Sequence, residues 1–464
     1  MWRLRLVLAL WCLWRIAASY FLQRRLARLF PRSARVLQRW ERVHAKNARR
    51  LRSACLRLRG VYIKLGQVLS VMGTFLPDCY VLELEQLQDA VPPRPWRIIE
   101  RALEKSLGRP LHASFARFSR APIAAASLGQ VHEATLHDGR RVAVKVLYPG
   151  IRQVMELDLQ VLALAVRMAR RAVPIGQLER MLEQLREMLA RETDLAHEAE
   201  SIAQMRDATA ADADVVVPEV IAELSNGEVL TMTFMEGVKI TDVAGLSAHG
   251  LDSAAVATKL VQVFFRAIFH DRFFHADPHP GNLFVQRGDK GQVRLVMLDL
   301  GSAAALRDNL ADGLMAVIAG ALRHDEASFM RGIHTMGFVS RSADRELLSR
   351  SLHAYFERIL SLEIRDFASI ARSESDKLDI GLDGAEVRKL MRAIEYPLGW
   401  FYLERAMLLL FGVVARLAPE LNLIQVGFPY VAKLMQARAV SGASASPGRP
   451  PEAPAFAPSA APSR

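Results

Sequence analysis

An α+β fold of two lobes is predicted for this 464-residue chain, and three observations predict it. From Ala113 the sequence turns into short β-prone runs, with hairpin signals at Asp138-Gly139 and Asn226-Gly227. Two long stretches of helical apolar spacing, roughly 150–171 and 176–206, lie between those hairpins. From Asp252 the chain is mostly helical, broken by a compact loop-and-strand region from Phe273 to Gly301. With 51% hydrophobic residues, there is enough apolar side chain for a sizeable core.

The elements follow in chain order. Residues 1–60 hold sixteen Arg or Lys and one acid, Glu41, while the rest of the chain is close to neutral. Such an arm suits an anionic lipid surface or nucleic acid. No base-reading motif or aromatic-studded basic groove accompanies it, and an apolar stretch, Leu6 to Leu22, sits inside it. That favours membrane over nucleic acid. The stretch is short of a full span, contains Arg15, and has arginines on both sides. With Trp2, Trp11 and Trp14 beside it, an interfacial anchor is expected over a cleaved secretory signal or an organellar targeting segment. Residues 1–30 are therefore expected to form a membrane-associating segment, and 31–113 a helical extension with a basic helix over 31–60. Cys12, Cys55 and Cys79 share no metal-ligand spacing and make no disulfide framework, which suits a reducing compartment.

Residues 114–236 read as a small β-containing lobe. A strand, a tight loop, a second strand, a turn and a third strand ending in Val-Ala-Val-Lys place Lys145 where a protein kinase keeps its phosphate-contacting lysine. The loop that should be glycine-rich is instead Ala124-Ala125-Ala126-Ser127. A lysine in that role needs a carboxylate partner on a facing helix. The segment LARETDLAHEAES offers Glu192, Asp194, Glu198 and Glu200, and the six-residue offset of Glu192 and Glu198 keeps those two off one helix face.

Residues 237–440 read as a larger helical lobe. FFHADPHPGNLFV puts Asp277 five residues before Asn282, and VRLVMLDLG ends an apolar strand on Asp299. Singly, these are ordinary turn residues. In this order, downstream of a VAVK strand, they match a catalytic loop whose Asp orients the acceptor hydroxyl while the Asn and the later Asp hold Mg²⁺. His275 stands where kinases keep a loop-anchoring histidine. Pro278 and Pro280 forbid the helix that would pair His275 with His279 on a metal. The apolar run Ala406–Ala415 is too short to span a bilayer and reads as a buried helix, and 441–464 reads as a disordered Pro/Ala/Ser tail.

These residues resemble the UbiB-type (AarF-domain) atypical kinases of the protein-kinase-like superfamily. KLGQ at Lys64–Gln67 is similar to that family's KxGQ signature, AAASLGQV to its alanine-rich nucleotide loop, and ETD at Glu192–Asp194 to its ExD motif. Lys145, Glu198, Asp277, Asn282 and Asp299 match the shared kinase set. The resemblance implies a bilobal protein-kinase-like fold with the helical extension packed over the active site. It further implies that Lys64 pairs with Glu192, Glu198 pairs with Lys145, and Lys64, Gln67, Glu192 and Asp194 gate the cleft.

The implied protein binds ATP with Mg²⁺ and is poorly built to phosphorylate proteins in trans. It hydrolyses ATP or phosphorylates a small or lipid-like acceptor in support of ubiquinone biosynthesis or related lipid metabolism. An anionic or isoprenoid lipid and quinone-biosynthesis proteins are the implied partners, at a bacterial inner membrane with the body in the cytoplasm. A nucleotide-regulated lipid- or partner-binding switch with little turnover is the alternative. Ala276 replaces the catalytic-loop Arg of protein kinases, so control by a phosphorylated loop is not expected.

Overall fold

In the computed structural model the chain folds as two kinase-like lobes behind a helical extension. The structure describes residues 2–30, 34–71, 77–87, 93–169, 177–339 and 397–433, without 398, 423, 424 and 428. The expected tail at 441–464 lies outside the described residues.

The extension is helical: α1 (Trp2–Leu29), α2 (Ala34–Leu58), α3 (Val61–Val71), α4 (Asp78–Glu85), α5 (Trp96–Leu107) and α6 (Leu111–Ser114). Pro77, Pro95 and Pro110 stand directly before α4, α5 and α6 in extended conformation, where a missing N–H costs nothing. Gly108 closes α5 in the left-handed region at φ 68°. Helix α3 packs closely on α4 and the residues after it: a Cβ on Gly66 would lie 2.3 Å from Leu87 Cδ1, so any larger residue there would force the buried Leu87 side chain to shift.

The segment 1–30 does not stand apart from the body, as a free anchor would. Helix α1 runs antiparallel to α2 and also packs on α7 (Ile151–Ala169). Arg5 donates to the Leu58 carbonyl at 2.6 Å and to Asp158 Oδ2 of α7 at 2.5 Å, and Asp158 is only 3% exposed. Further along, Asn47 Nδ2 donates to Ser19 Oγ at 2.7 Å, and the Tyr20 hydroxyl meets His44 and Tyr80. Arg5→Met should therefore destabilise the protein by about 2–4 kcal/mol, since it strands a buried carboxylate. Burial already pushes the Asp158 carboxyl up, with Arg5 opposing. Without Arg5 the rise is unopposed, so the deficit should be largest at neutral pH and shrink as the pH falls through the raised folded value of Asp158. Melting curves across pH check the sign, and a pH-independent deficit would contradict it.

The small lobe is built on β1 (Arg117–Ala125), β2 (Gly129–Thr135), β3 (Arg141–Leu147) and β5 (Val229–Thr233), antiparallel in the order β1-β2-β3-β5. Gly139, at φ 88°, turns the β2–β3 hairpin at the predicted Asp-Gly. Helices α8 (Gln177–Glu192) and α9 (Leu195–Thr209) follow α7. The sequence suggested one helix over 176–206, and the structure corrects this. The helix breaks at Thr193-Asp194, where Asp194 caps α9 by accepting from Ala196 N.

The large lobe contains α10 (Val243–Ala248), α11 (Ser253–Arg266), α12 (Asp308–Arg323), α13 (Glu326–Met336) and α14 (Trp400–Leu417). Strand β4 (Val215–Val216) pairs parallel with β9 (Val293–Met297) in the sheet β4-β9-β8-β6, where β6 is Val238–Lys239 and β8 is Leu283–Arg287. The short pair β7 (Phe273–His275) and β10 (Ala303–Ala305) flanks the loop between β7 and β8. Helix α11, capped by Asp252, buries Val256, Leu260, Val261 and Phe264 and packs on α14 and β9. It runs into a π-turn at Ala267–Asp271 and a left-handed Arg272 immediately before β7, a deformation common near functional sites. The predicted Ala406–Ala415 helix lies within α14, which buries Ala406, Leu410, Val413 and Val414 against the body and leaves the rest of that run partly exposed.

Candidate active site

The cleft between the lobes gathers most of the sequence-predicted residues. Lys145 sits on β3 opposite Leu230 of β5 on one side and Val131 of β2 on the other. Its Nζ donates to both Glu198 oxygens, at 2.9 and 2.8 Å, and lies 3.1 Å from Asp299 Oδ1. Of the four acids considered as its partner, Glu198 is the one in place, because it is the acid of α9 on the inward face, 2% exposed. Glu200, 74% exposed, points to solvent.

Burial pushes the Glu198 carboxyl up to about 7 against the pull of Lys145. Burial also works against the charge on Lys145, but Asp299 and Glu198 outweigh it and raise the ammonium above its ordinary value. Asp299 is less enclosed. Crowding raises its carboxyl, Lys145 more than reverses that, and the group is held at about 2, ionised at any working pH. Its backbone is left-handed, at φ 52°, a conformation Asp tolerates better than most residues. A Cβ on Gly301 would come within 3.2 Å of Glu198 Oε2, so the glycine of the Asp-Leu-Gly turn leaves room for the buried carboxylate. Gly301→Ala should cost about 1–3 kcal/mol through this overpacking. A melting temperature equal to that of the parent would show that Glu198 moves aside freely.

Across the cleft, Lys64 of α3 donates to Glu192 Oε1 at the end of α8, at 2.7 Å, and both side chains are largely buried. The helical extension thus reaches over the site through Lys64. Gln67 lies one turn further on the same helix, and its side chain is outside the described residues. Asp194 is not brought into the cleft. Its carboxylate is half-exposed at the start of α9, 3.8 Å from Arg152.

Asp277 follows β7 in a loop tied by its own backbone. His279 N donates to the Asp277 carbonyl at 2.7 Å, Asn282 N to His279 O at 2.8 Å, and Leu298 N to Asn282 O at 2.8 Å, which joins this loop to the turn after β9 that bears Asp299. His275 is buried, and Asp277 N approaches its Nδ1 at 3.4 Å. Burial holds its imidazole below the ordinary range, so it is neutral at pH 7. Asn282 Nδ2 donates to the Asp277 carbonyl at 3.2 Å, which leaves the amide oxygen as its remaining acceptor. That oxygen and the ionised Asp299 carboxylate are two hard ligands of the kind Mg²⁺ takes when phosphates and water complete its shell. Among the described residues no group of three His, Cys, Asp or Glu could hold a metal without such help.

One residue of the site was not anticipated. Arg405, 7% exposed on α14, places its guanidinium 2.6 Å from Asp277 Oδ2. Burial pushes the Asp277 carboxyl up, but Arg405 and then Lys64 outweigh it and leave it below the ordinary range. The available signal was an arginine in the apolar stretch WFYLERAMLLLFGVVARL, where a buried cation needs a partner. In the sequence it marked only the boundary of the apolar run.

The alanine-rich loop closes the β1–β2 hairpin. Ala124 and Ala125 end β1, Ala126 N donates to Gly129 O at 2.8 Å, and Ser127 is buried. Ala124 pairs with Val131, which pairs with Lys145, so this hairpin edge and the lysine share one transverse row of the sheet.

A family model described as the ABC1 atypical kinase-like domain matches residues 86–332. The chain is 32% identical over 412 residues to the probable protein kinase UbiB of Xylella fastidiosa strain 9a5c, covering 86% of this chain and 71% of that protein. It is 29% identical over 387 residues to Protein ACTIVITY OF BC1 COMPLEX KINASE 7, chloroplastic, of Arabidopsis thaliana, covering 83% of this chain and 54% of that one. Among solved structures, the Rv3197–erythromycin complex from Mycobacterium tuberculosis aligns with a TM-score of 0.49 at 26% identity, over 78% of this chain and 93% of that one.

Proposed function

The chain belongs to the ABC1 atypical kinase-like family, and from that premise we propose that it is a membrane-associated ATP- and Mg²⁺-dependent kinase or ATPase supporting ubiquinone biosynthesis or related isoprenoid-lipid metabolism. The observation that carries this reading is the assembled Lys145–Glu198 pair facing Asp299 across the cleft. In this reading Lys145 contacts the α- and β-phosphates, Glu198 holds Lys145 in place, and the Ala124–Ser127 loop covers the nucleotide. Asn282 and Asp299 hold Mg²⁺, which when bound neutralises developing phosphate charge. Asp277, kept ionised below the ordinary carboxylate range, is a weak proton acceptor. It orients the nucleophile, water or a small acceptor, more than it deprotonates it. The Lys64–Glu192 contact holds the helical extension over the cleft, and in this reading the extension leaves no room for a protein substrate, so phosphorylation in trans is not expected. The catalytic body works in the cytoplasm against the inner membrane, with quinone-biosynthesis proteins as candidate partners. The divisions 31–113, 114–236 and 237–440 serve as extension, nucleotide lobe and catalytic lobe.

The test is ATP turnover by the full chain, with and without vesicles containing phosphatidylglycerol, beside Lys145→Ala and Asp277→Asn. The full chain is needed because deleting α1 would strand Asp158. Phosphate release that disappears in both variants supports the reading. Unchanged release in both would assign the activity to a contaminant.

The Lys64–Glu192 contact also favours a second reading, in which nucleotide binding opens this latch and the protein acts as a switch for lipid or partner binding. Nucleotide binding with no phosphate release under any condition would select it.

A further inference from the structure

Helix α1 is long and apolar enough to cross a membrane over Arg5–Leu29, by length and composition. Its two faces are arranged inside out for a helix docked on a soluble body. The face turned towards α2 and α7 carries Arg5, Cys12, Ser19 and Tyr20, all engaged in the polar contacts that fasten the helix. The opposite face carries Val7, Trp11, Trp14, Phe21 and Leu22, each more than half exposed. At 100° per residue these five fall within one stripe. Trp11 and Trp14 stack at 5.0 Å within it, and the Arg25 guanidinium lies over the Phe21 ring. A helix that fastens Arg5, Cys12, Ser19 and Tyr20 inward and shows Trp11, Trp14 and Phe21 outward, with exposed Arg15, Arg24, Arg25 and Arg28 along it, is suited to an apolar surrounding bordered by anionic groups on that outer side.

We infer that α1 lies flat in the membrane–water interface and does not cross the bilayer, with the Val7–Trp11–Trp14–Phe21–Leu22 stripe seated among the acyl chains of an anionic bilayer. This rests on the proposal that the protein works at a membrane, and adds the surface, its orientation and the lipid charge. Two observations decide between lying flat and spanning. The inward face is locked to the body by the buried Arg5–Asp158 pair at one end and the Tyr20 contacts further along, so α1 cannot turn upright alone. Its antiparallel neighbour α2 carries exposed Arg39, Arg42, Lys46, Arg49 and Arg57, and a crossing would carry those cations into hydrocarbon, which strongly disfavours charge. Lying flat, the cations remain at headgroup depth. Sixteen basic residues against one acid in residues 1–60 favour an anionic headgroup layer over a zwitterionic one.

The experiment uses the full chain and three readouts. The first is flotation with vesicles of phosphatidylcholine alone or with a quarter phosphatidylglycerol. The second is alkaline carbonate extraction from native membranes. The third is tryptophan quenching by lipids brominated near the glycerol end or near the chain end. Lying flat predicts binding at least tenfold stronger to the anionic vesicles, release by carbonate, and stronger quenching by the shallow bromines. Trp11→Glu with Trp14→Glu should lose at least tenfold in vesicle binding at an unchanged melting temperature, because both rings are exposed. Resistance to carbonate with equal or deeper quenching would overturn the flat orientation while leaving a membrane role intact. Failure to float with either vesicle would overturn both. Full binding by the double variant would overturn the assigned stripe alone.

Discussion

Asp277→Asn is expected to lower ATP turnover by about a thousandfold, the middle of the range for removing a positioned acid–base group, while ADP binding is retained. The phosphate-facing groups Lys145, Glu198 and Asp299 form their own cluster, held by hydrogen bonds that do not pass through Asp277. Nucleotide should therefore still bind. The substitution also removes the counter-charge of Arg405, a buried cation, so the melting temperature should fall although an amide oxygen can still accept one hydrogen bond. Calorimetric ADP titration beside phosphate release separates the two effects. If binding and turnover fall together, Asp277 serves the nucleotide site and not the nucleophile.

The second large effect concerns Arg405. Replacing it with Met leaves Asp277 buried without its cation, and breaking such a pair costs about 3–5 kcal/mol. In the parent, Asp277 is held below its ordinary range, so its contribution to stability is present above about pH 4 and lost as the pH falls through the depressed folded value. In Arg405→Met the largest remaining influence is burial, which raises the carboxyl. The ionised, working form then disappears at a higher pH, and the acid limb of the turnover profile moves upward. Turnover at neutral pH should fall by about a hundredfold, the scale for misplacing a positioned group. Arg405→Lys keeps the charge without the fork and should restore the position of the acid limb better than the rate. An acid limb unmoved in Arg405→Met would show that the arginine only packs α14. Adding Asp277→Asn to Arg405→Met should recover much of the lost stability, since neither partner is then left charged and alone.

Much of the cleft was legible because its parts are local signals. A VAVK strand, an Asp followed five residues later by an Asn, and an Asp-Leu-Gly turn each lie within one loop or one strand end, where backbone geometry sets the spacing. The six-residue offset of Glu192 and Glu198 correctly indicated two different directions. It did not disclose that the helix ends between them, because Asp194 reads equally well as a cap or as a mid-helix acid until the chain on either side is packed. The resemblance of ETD to an ExD motif placed Asp194 among the gating residues, whereas its carboxylate accepts from Ala196 N.

The sequence by itself determined the two-lobed α+β plan, the chemistry of the cleft residues and the separation of a basic, apolar front from a nearly neutral body. Each of these depends on residue type and short-range order, which survive in a linear reading. Only the tertiary structure decided that Arg405 holds Asp277 from 128 positions away, and which face of α1 is turned outward. Those are choices among chemically equivalent candidates. They are settled by burial, because a charge removed from water tolerates only the partner that the packed chain brings within hydrogen-bond reach.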